Sequence, residues 1–370
     1  MALSKVDLAN QVENQLPQNL VANNLPFRNI LINGDMSIAQ RGTSSSGATT
    51  DTYYTCDRWR IRIGALGTWT ISQSTDIPTG QGFSKSLKLD CTTADASPSA
   101  SDYLFVAQRI EGQNLQYLKK GTSNAESVTL SFWVKCNKTG NGQVNIRDND
   151  NDRIIGNTYT INSANTWEKK TITFDGDTTG ALDNDNGESF DLNFWLDSGS
   201  DYTGGAVPTS WEARTQTDRN AGGTLSLGDN TANEWYITGV QLEAGTSASD
   251  FEFLPFDVQL NRCKRYFQKS MPYSVYSNSQ YTAGYATVAT SGAVQNQAYG
   301  LEYPVEFRAT PTLTVYRIVD GTSGSMYGVA AASSVTASPV QAGAKQVGYF
   351  SMGTSADNFY NFNYRADAEL

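Results

Sequence analysis

Histidine does not occur anywhere in the 370 residues. Its absence excludes Ser-His-Asp and Cys-His catalysis in their usual forms, and it excludes zinc or iron held by imidazole. Cysteine is also scarce, and the four that occur are far apart and form no Cys-x-x-Cys pair. We therefore interpret them as buried, reduced thiols rather than as a metal site or a disulfide framework.

Long apolar runs are missing as well, and the 27 Lys and Arg residues are outnumbered by 37 Asp and Glu residues. No uninterrupted apolar stretch reaches the ~18 residues of a membrane span, and the first residues lack the basic and apolar parts of a signal peptide. We expect neither membrane insertion nor a cleaved leader. The net charge is −10, and such a surface repels phosphate backbones, so no nucleic-acid partner is expected.

Short alternating segments dominate what is present. In 128–135 every second residue is apolar, and 190–197 repeats the pattern with a tryptophan at the same outward position. A period of two is the mark of a half-buried strand. We interpret 128–135 and 190–197 as neighbouring strands of one sheet, each with an apolar inner face and one of Trp133 and Trp195 outside.

About ten such segments, separated by Gly, Asn and Asp turns, precede the one clear helical pattern, Asp257–Gln268. The sequence therefore predicts an all-β protein: a jelly-roll β-sandwich, a short helix, and a second, smaller β-sandwich domain. We expect an N-terminal arm at residues 1–27 that becomes ordered on a partner, the jelly roll at 28–256, and at 257–370 a domain stabilised by packing against copies of itself. The alternative for the arm is a frayed tail.

Several segments, taken in this order, resemble phage tail fibre or receptor-binding proteins with a carbohydrate-binding-like jelly roll. They are Asn29–Gly42 (NILINGDMSIAQRG) with Asp57–Trp59, then Gln108–Gly112, then Trp235–Gly245 leading into Arg262–Phe267, and Tyr303–Thr312 with Ala366–Leu370. The resemblance implies a virion structural protein, made in the host cytoplasm and assembled into the phage tail, usually as a homotrimer. Residues 1–27 would then be the attachment arm that binds other tail or adaptor proteins, and 257–370 would be the tip or trimerisation domain.

The resemblance also implies adsorption of the particle to a host-surface glycan or receptor, without catalysis. Sugars present CH-rich faces that stack on aromatic rings, while their hydroxyls need polar partners. We therefore name a candidate carbohydrate site on the outer strand faces, composed of Trp133, Trp195, Lys135, Arg147, Asn193 and Asp197. Two alternatives stay open for it: both tryptophans are buried under a loop or a neighbouring subunit, or the tyrosines of the last domain form the recognition surface (Tyr273, Tyr276, Tyr281, Tyr285, Tyr299 and Tyr327).

No catalytic residue, metal site or cofactor is assigned. Asp148–Asp152 and Asp183–Glu188 are rich in oxygen ligands, yet neither matches an EF-hand loop. Turn formation is the simpler explanation, and calcium is kept as an alternative. Three other functions are also kept: a capsid-decorating protein, a spacer fibre without receptor binding, and a tail spike that degrades polysaccharide with paired carboxylates.

Overall fold

The structure is a computed structural model that describes residues 27–275, 286–291, 294–329, 332–353 and 359–370. Strands form most of the regular structure in these ranges, and the α-helix described there, α1 (Phe256–Lys264), separates two β regions. The all-β prediction is confirmed. The predicted helix is present, but it begins one residue before Asp257, which lies in the first turn rather than at the cap.

Thirteen strands precede α1, and we number them in chain order. They are β1 (Ser44–Ala48), β2 (Thr52–Tyr53), β3 (Arg60–Gly64), β4 (Thr68–Ser74), β5 (Ser86–Thr93), β6 (Tyr103–Glu111), β7 (Val128–Cys136), β8 (Gly140–Asp148), β9 (Arg153–Ile161), β10 (Glu168–Phe174), β11 (Glu188–Ser198), β12 (Glu212–Ala213) and β13 (Glu234–Ala244).

These strands form two antiparallel sheets. Sheet A has the order β1-β4-β5-β13-β7-β10, and sheet B has the order β12-β9-β8-β11-β6-β3-β2. Along the chain, β5, β6, β7 and β8 alternate between the two sheets, which is the path of a jelly roll. The jelly-roll sandwich is therefore confirmed.

The core lies between the sheets and is formed by the predicted inner faces. Phe132 of β7 and Phe194 of β11 contact each other edge to face across the sandwich, with ring centroids 5.1 Å apart. The other inward residues of both strands are also buried: Val128, Leu130, Val134, Phe190, Leu192 and Leu196. Alternation in the sequence thus predicted correctly which side chains enter the core.

The segment 29–42 precedes the sandwich and forms bends and turns. Its centre is Asn33, whose buried side chain donates to the carbonyls of Ile38 and Asp57 and accepts from the Ile38 amide. Gly34 lies so close to β13 that a Cβ there would be 2.0 Å from the Val240 carbonyl oxygen. The Asn33 side-chain amide therefore holds this segment in place where no strand pairing does.

Eight strands follow α1 and form a second, smaller β region, as predicted. They are β14 (Phe267–Lys269), β15 (Ala286–Ser291), β16 (Val294–Glu302), β17 (Thr312–Arg317), β18 (Ser325–Gly328), β19 (Ser333–Ala342), β20 (Gln346–Met352) and β21 (Phe359–Asp367). Strand β21 pairs with β14, β15, β17 and β18, and the path β21-β15-β16-β20-β19-β18 returns to β21. The sheet therefore closes on itself around its own core, which contains Phe350 and Phe362.

The C-terminal residues 366–370 lie in the seam between the two β regions. Glu369 forms an ion pair with Arg58, which is 1% exposed, and a second one with Arg41 at 3.3 Å. The Arg58 guanidinium also lies 3.5 Å from the ring centre of Tyr266, just after α1. A buried charge network thus joins the end of the chain to the start of the sandwich.

Among the described residues, no helix combines the length and the apolar character needed to cross a membrane.

Candidate functional site

The two tryptophans of the predicted site lie on opposite sides of the sandwich. Trp133 is on the outer face of β7 in sheet A, whereas Trp195 is on the outer face of β11 in sheet B. The expectation that their strands share one sheet is therefore wrong, because β7 pairs with β10 and β13 while β11 pairs with β6 and β8. The six predicted residues cannot form one surface.

Trp195 is 1% exposed. Its ring stacks on Phe105 of β6 at 4.4 Å between centroids, and Tyr202 lies 5.1 Å away. The guanidinium of Arg219 lies 4.8 Å from the ring centre. With rings and a cation around it, Trp195 offers no free face to a sugar, which matches the alternative that a loop covers it.

Asn193 and Arg147 share the sheet B face with Trp195. Asn193 is buried and donates to the Asp191 carbonyl, and Arg147 lies across from Asp191 on β8. The segment 199–223 lies on this face. It is held there by hydrogen bonds from the Asn145 side chain to the Arg219 carbonyl and from the Gly156 amide to the Pro208 carbonyl, both 2.7 Å. Asn193 therefore belongs to a covered polar layer, whereas Arg147 is half-buried, with 27% of its side chain exposed.

Asp197 lies apart from the sheet B residues Asn193 and Arg147 and from the sheet A residues Trp133 and Lys135. Its carboxylate accepts the Gly228 amide at 2.7 Å and the Ser198 amide at 2.8 Å, and it is 6% exposed. Burial raises the pKa of Asp197 to about 6, although both amides favour the ionised form. Its contacts hold a loop in place.

Lys135 shares the outer face of β7 with Trp133. Its ammonium forms an ion pair with Asp76 and lies 4.5 Å from the ring centre of Tyr236 and 6.0 Å from that of Trp167. Trp167 also donates to Asp76. The charge of Lys135 is therefore already balanced, and the lysine fixes the aromatic side chains beside it.

Trp133 lines a cleft of about 270 Å³ on the sheet A face, which we call the Trp133 cleft. Its side chain is half-buried, and cross-strand pairing places it between Lys169 of β10 and Thr238 of β13. The cleft is lined by Gly80, Gln81, Phe83, Ser131, Trp133, Lys169, Gly239, Asp250, Phe251 and Phe253.

Three phenylalanines form the apolar wall of the Trp133 cleft. Phe83, Phe251 and Phe253 contact each other with centroids 4.9–5.1 Å apart, and Phe253 is 50% exposed. Gly239 has a φ of +61°, and a Cβ there would meet the Phe83 ring at 2.5 Å, so glycine is needed at this contact. Lys169, Gln81 and Asp250 are exposed polar residues of the lining.

None of these phenylalanines was predicted from the sequence to be a binding residue. The run Phe251-Glu-Phe-Leu-Pro-Phe256 marked a domain boundary instead, although three aromatic residues around a proline after the last sandwich strand could have indicated an aromatic surface. Of the rival tyrosines, Tyr276, Tyr281 and Tyr285 lie outside the described residues, and Tyr273 is held in the seam by the Ala39 amide. The arm 1–27 also lies outside them, except for Phe27.

The aspartate side chains of the two acidic turns are used in local hydrogen bonds and in an ion pair. Asp148 accepts the amides of Asp150 and Asn151 and pairs with Lys120 at 2.5 Å, and Asp185 accepts the Gly187 amide. Within the ranges that the structure describes, no group of three or more acidic or cysteine side chains is arranged for a metal ion. All four cysteines are buried and unpaired.

No protein-family model matches the chain. No curated protein matches it.

Solved structures with low similarity include sugar-binding proteins and a phage protein. The tailspike protein 4 enzymatically active domain of bacteriophage CBA120 is 15% identical with a TM-score of 0.30; the match covers 60% of this chain and only 22% of that one. A putative sugar binding protein from Bacteroides thetaiotaomicron is 14% identical with a TM-score of 0.33 and coverages of 58% and 99%. TmCBM61, solved with β-1,4-galactotriose, is 9% identical with a TM-score of 0.30 and coverages of 59% and 99%. Because these scores are low, the jelly-roll assignment rests on strand order and pairing.

Proposed function

We propose that this protein binds a glycan through the Trp133 cleft. The observation that carries the proposal is the position of Trp133: a half-buried ring on a central strand, open to a cleft with an apolar wall and exposed polar residues. A sugar presents an apolar face and a ring of hydroxyl groups, and it needs both kinds of partner in one place.

Rigidity supports the same function. Trp133 and Lys169 face each other across paired strands, and Ser131 is on the same outer face one step along β7. Side chains on a sheet need little ordering when a ligand binds, so less of the interaction energy is lost. Phe253 extends the stacking surface beyond Trp133, and Lys169, Gln81 and Asp250 offer donors and acceptors to sugar hydroxyls.

The biological role that we propose is adhesion of a phage to its host. In this proposal the chain is a homotrimeric tail fibre protein of the virion, attached through residues 1–27 and recognising a host-surface glycan during adsorption. Three features support this role: the motif resemblance, the all-β fold, and a composition that has few charged residues and a net negative charge. Light scattering on the purified chain should give the mass of three copies.

We propose further that the protein does not cleave the glycan. Asp250 is the one carboxylate among the described residues that line the Trp133 cleft, whereas glycoside hydrolysis usually requires a pair of carboxyl groups on either side of the scissile bond. Binding without turnover is the behaviour expected of an adhesin.

Trp133→Ala should weaken binding to the best ligands of a glycan array by about tenfold or more, because it removes the stacking ring. The matched control is Trp167→Ala, which truncates another half-buried tryptophan beside the same face but outside the cleft lining. The control should bind like the wild type. Equal binding by all three proteins would rule out the Trp133 cleft as the glycan site.

A further inference from the structure

A second, larger cleft opens at the seam between the sandwich and α1. It has a volume of about 480 Å³, within the range of ligand sites in proteins. Residues 27–32, the end of β6 and the turn after it, and α1 form its walls. We call it the seam cleft. Among the described residues, its lining includes no carboxylate and four arginines, namely Arg58, Arg109, Arg262 and Arg265.

Three of these arginines are neutralised by carboxylates outside the lining. Arg58 pairs with Glu369, and Arg109 pairs with Glu188 at 3.0 Å. Arg265 binds Glu111 through two nitrogens, at 2.9 and 2.7 Å. The charges of Arg58 and Arg265 are therefore used to join the two β regions, and that of Arg109 is used within sheet B of the sandwich.

Arg262 is different. It projects from the last turn of α1 into the seam cleft, and it has no hydrogen-bond or ion-pair partner within the part of the chain that the structure describes. Burial lowers the pKa of this half-buried guanidinium, because the charge is taken from water without a contacting anion in return. A half-buried guanidinium without a contacting anion is well placed to bind an anionic ligand.

The rest of the seam cleft carries groups that bind sugars. Tyr117 is 50% exposed and Phe27 is 59% exposed, so two aromatic rings are open to a ligand. Gln113 and Asn114 are exposed amides on the turn after β6. Aromatic faces, amides and one free guanidinium are together complementary to a saccharide that bears an anionic group.

We propose that the seam cleft binds a saccharide carrying a carboxylate. Arg262 receives the carboxylate through its planar fork of N–H donors, which matches the two oxygens of that group. Tyr117 stacks against the sugar ring, and Asn114 bonds to its hydroxyls. This site is separate from the Trp133 cleft and does not depend on it, so the chain would contact two parts of a host polysaccharide, or two different glycans.

The probe pair is glucuronic acid and glucose, which differ in the carboxylate, titrated calorimetrically into the full chain. Glucuronate should bind, glucose should bind about tenfold more weakly or not at all, and added salt should weaken the glucuronate signal. Arg262→Gln should reduce glucuronate affinity about tenfold. Lys264→Gln, which removes the same charge from the same helix outside the cleft, should leave it unchanged.

Two further measurements make the result decisive. Tyr117→Ala should also weaken glucuronate binding, while acetate alone should not compete at equal concentration. Trp133→Ala should have no effect, which separates this site from the other. Equal affinity for glucose and glucuronate, no binding of either, equal losses in Arg262→Gln and Lys264→Gln, or competition by acetate would each overturn the proposal.

Discussion

Trp195→Ala is expected to lower the free energy of unfolding by about 3–5 kcal/mol, the usual cost of deleting a buried tryptophan. The ring fills the space between Phe105 and Tyr202 and supports the guanidinium of Arg219. Its removal leaves a cavity that a sheet cannot close by collapsing. The segment 199–223 should loosen as well, because Arg219 lies within it. Urea denaturation, followed by tryptophan fluorescence and by circular dichroism, measures the loss.

The matched comparison is Trp133→Ala, the same substitution at the equivalent outward position of the other strand. Trp133 is half-buried and open to a cleft, so its loss should cost about 1 kcal/mol or less. A similar loss in both variants would show that the two tryptophans have the same role. That outcome would contradict the division into one structural and one binding tryptophan.

Arg58→Met should destabilise the protein by about 3–5 kcal/mol, because the buried carboxylate of Glu369 loses its nearest partner and keeps the longer ion pair with Arg41. Glu369 is 5% exposed in its side chain and Arg58 is 1% exposed. Although burial disfavours the charged guanidinium, the nearby Glu369 raises the pKa of Arg58, so this guanidinium stays charged at any ordinary pH. The midpoint of chemical denaturation is the measurement.

Two companion variants test the cause. Arg58→Met combined with Glu369→Gln should recover part of the loss, since no unpaired charge stays buried, and the double-mutant cycle gives the coupling. Lys119→Met breaks an ion pair with Glu126 whose side chains are 52% and 43% exposed, and it should cost less than about 1 kcal/mol. Strictly additive losses at Arg58 and Glu369 would refute the buried pair.

The sequence predicted the inner faces of β7 and β11 because a period of two is a local property. Which sheet each strand joins depends on pairing with distant strands, and the local pattern contains no information about it. The local pattern also does not show whether an outward side chain is exposed to solvent. Trp133 and Trp195 have nearly identical sequence neighbours, yet a segment that follows β11 covers one of them and leaves the other open.

The residues that line the Trp133 cleft could not be predicted from local sequence either. Phe251 and Phe253 are more than a hundred residues from Trp133 in the chain, and their contact depends on the turn after β13. Asp197 shows the reverse case: a carboxylate in a polar-looking position is buried by the loop that contains Gly228. The arm at 1–27 and three of the rival tyrosines lie outside the described residues, so those predictions stand as made.

The most direct test of the account is competition for adsorption. If the chain is the proposed phage adhesin, cells to which that phage adsorbs are first incubated with the purified chain, either wild type or Trp133→Ala, and the unadsorbed particles are then counted. The wild-type protein at saturation should block adsorption, and Trp133→Ala at the same concentration should not. Undiminished adsorption in the presence of the wild-type chain, or equal blocking by both proteins, would contradict the claim that this cleft holds the host glycan.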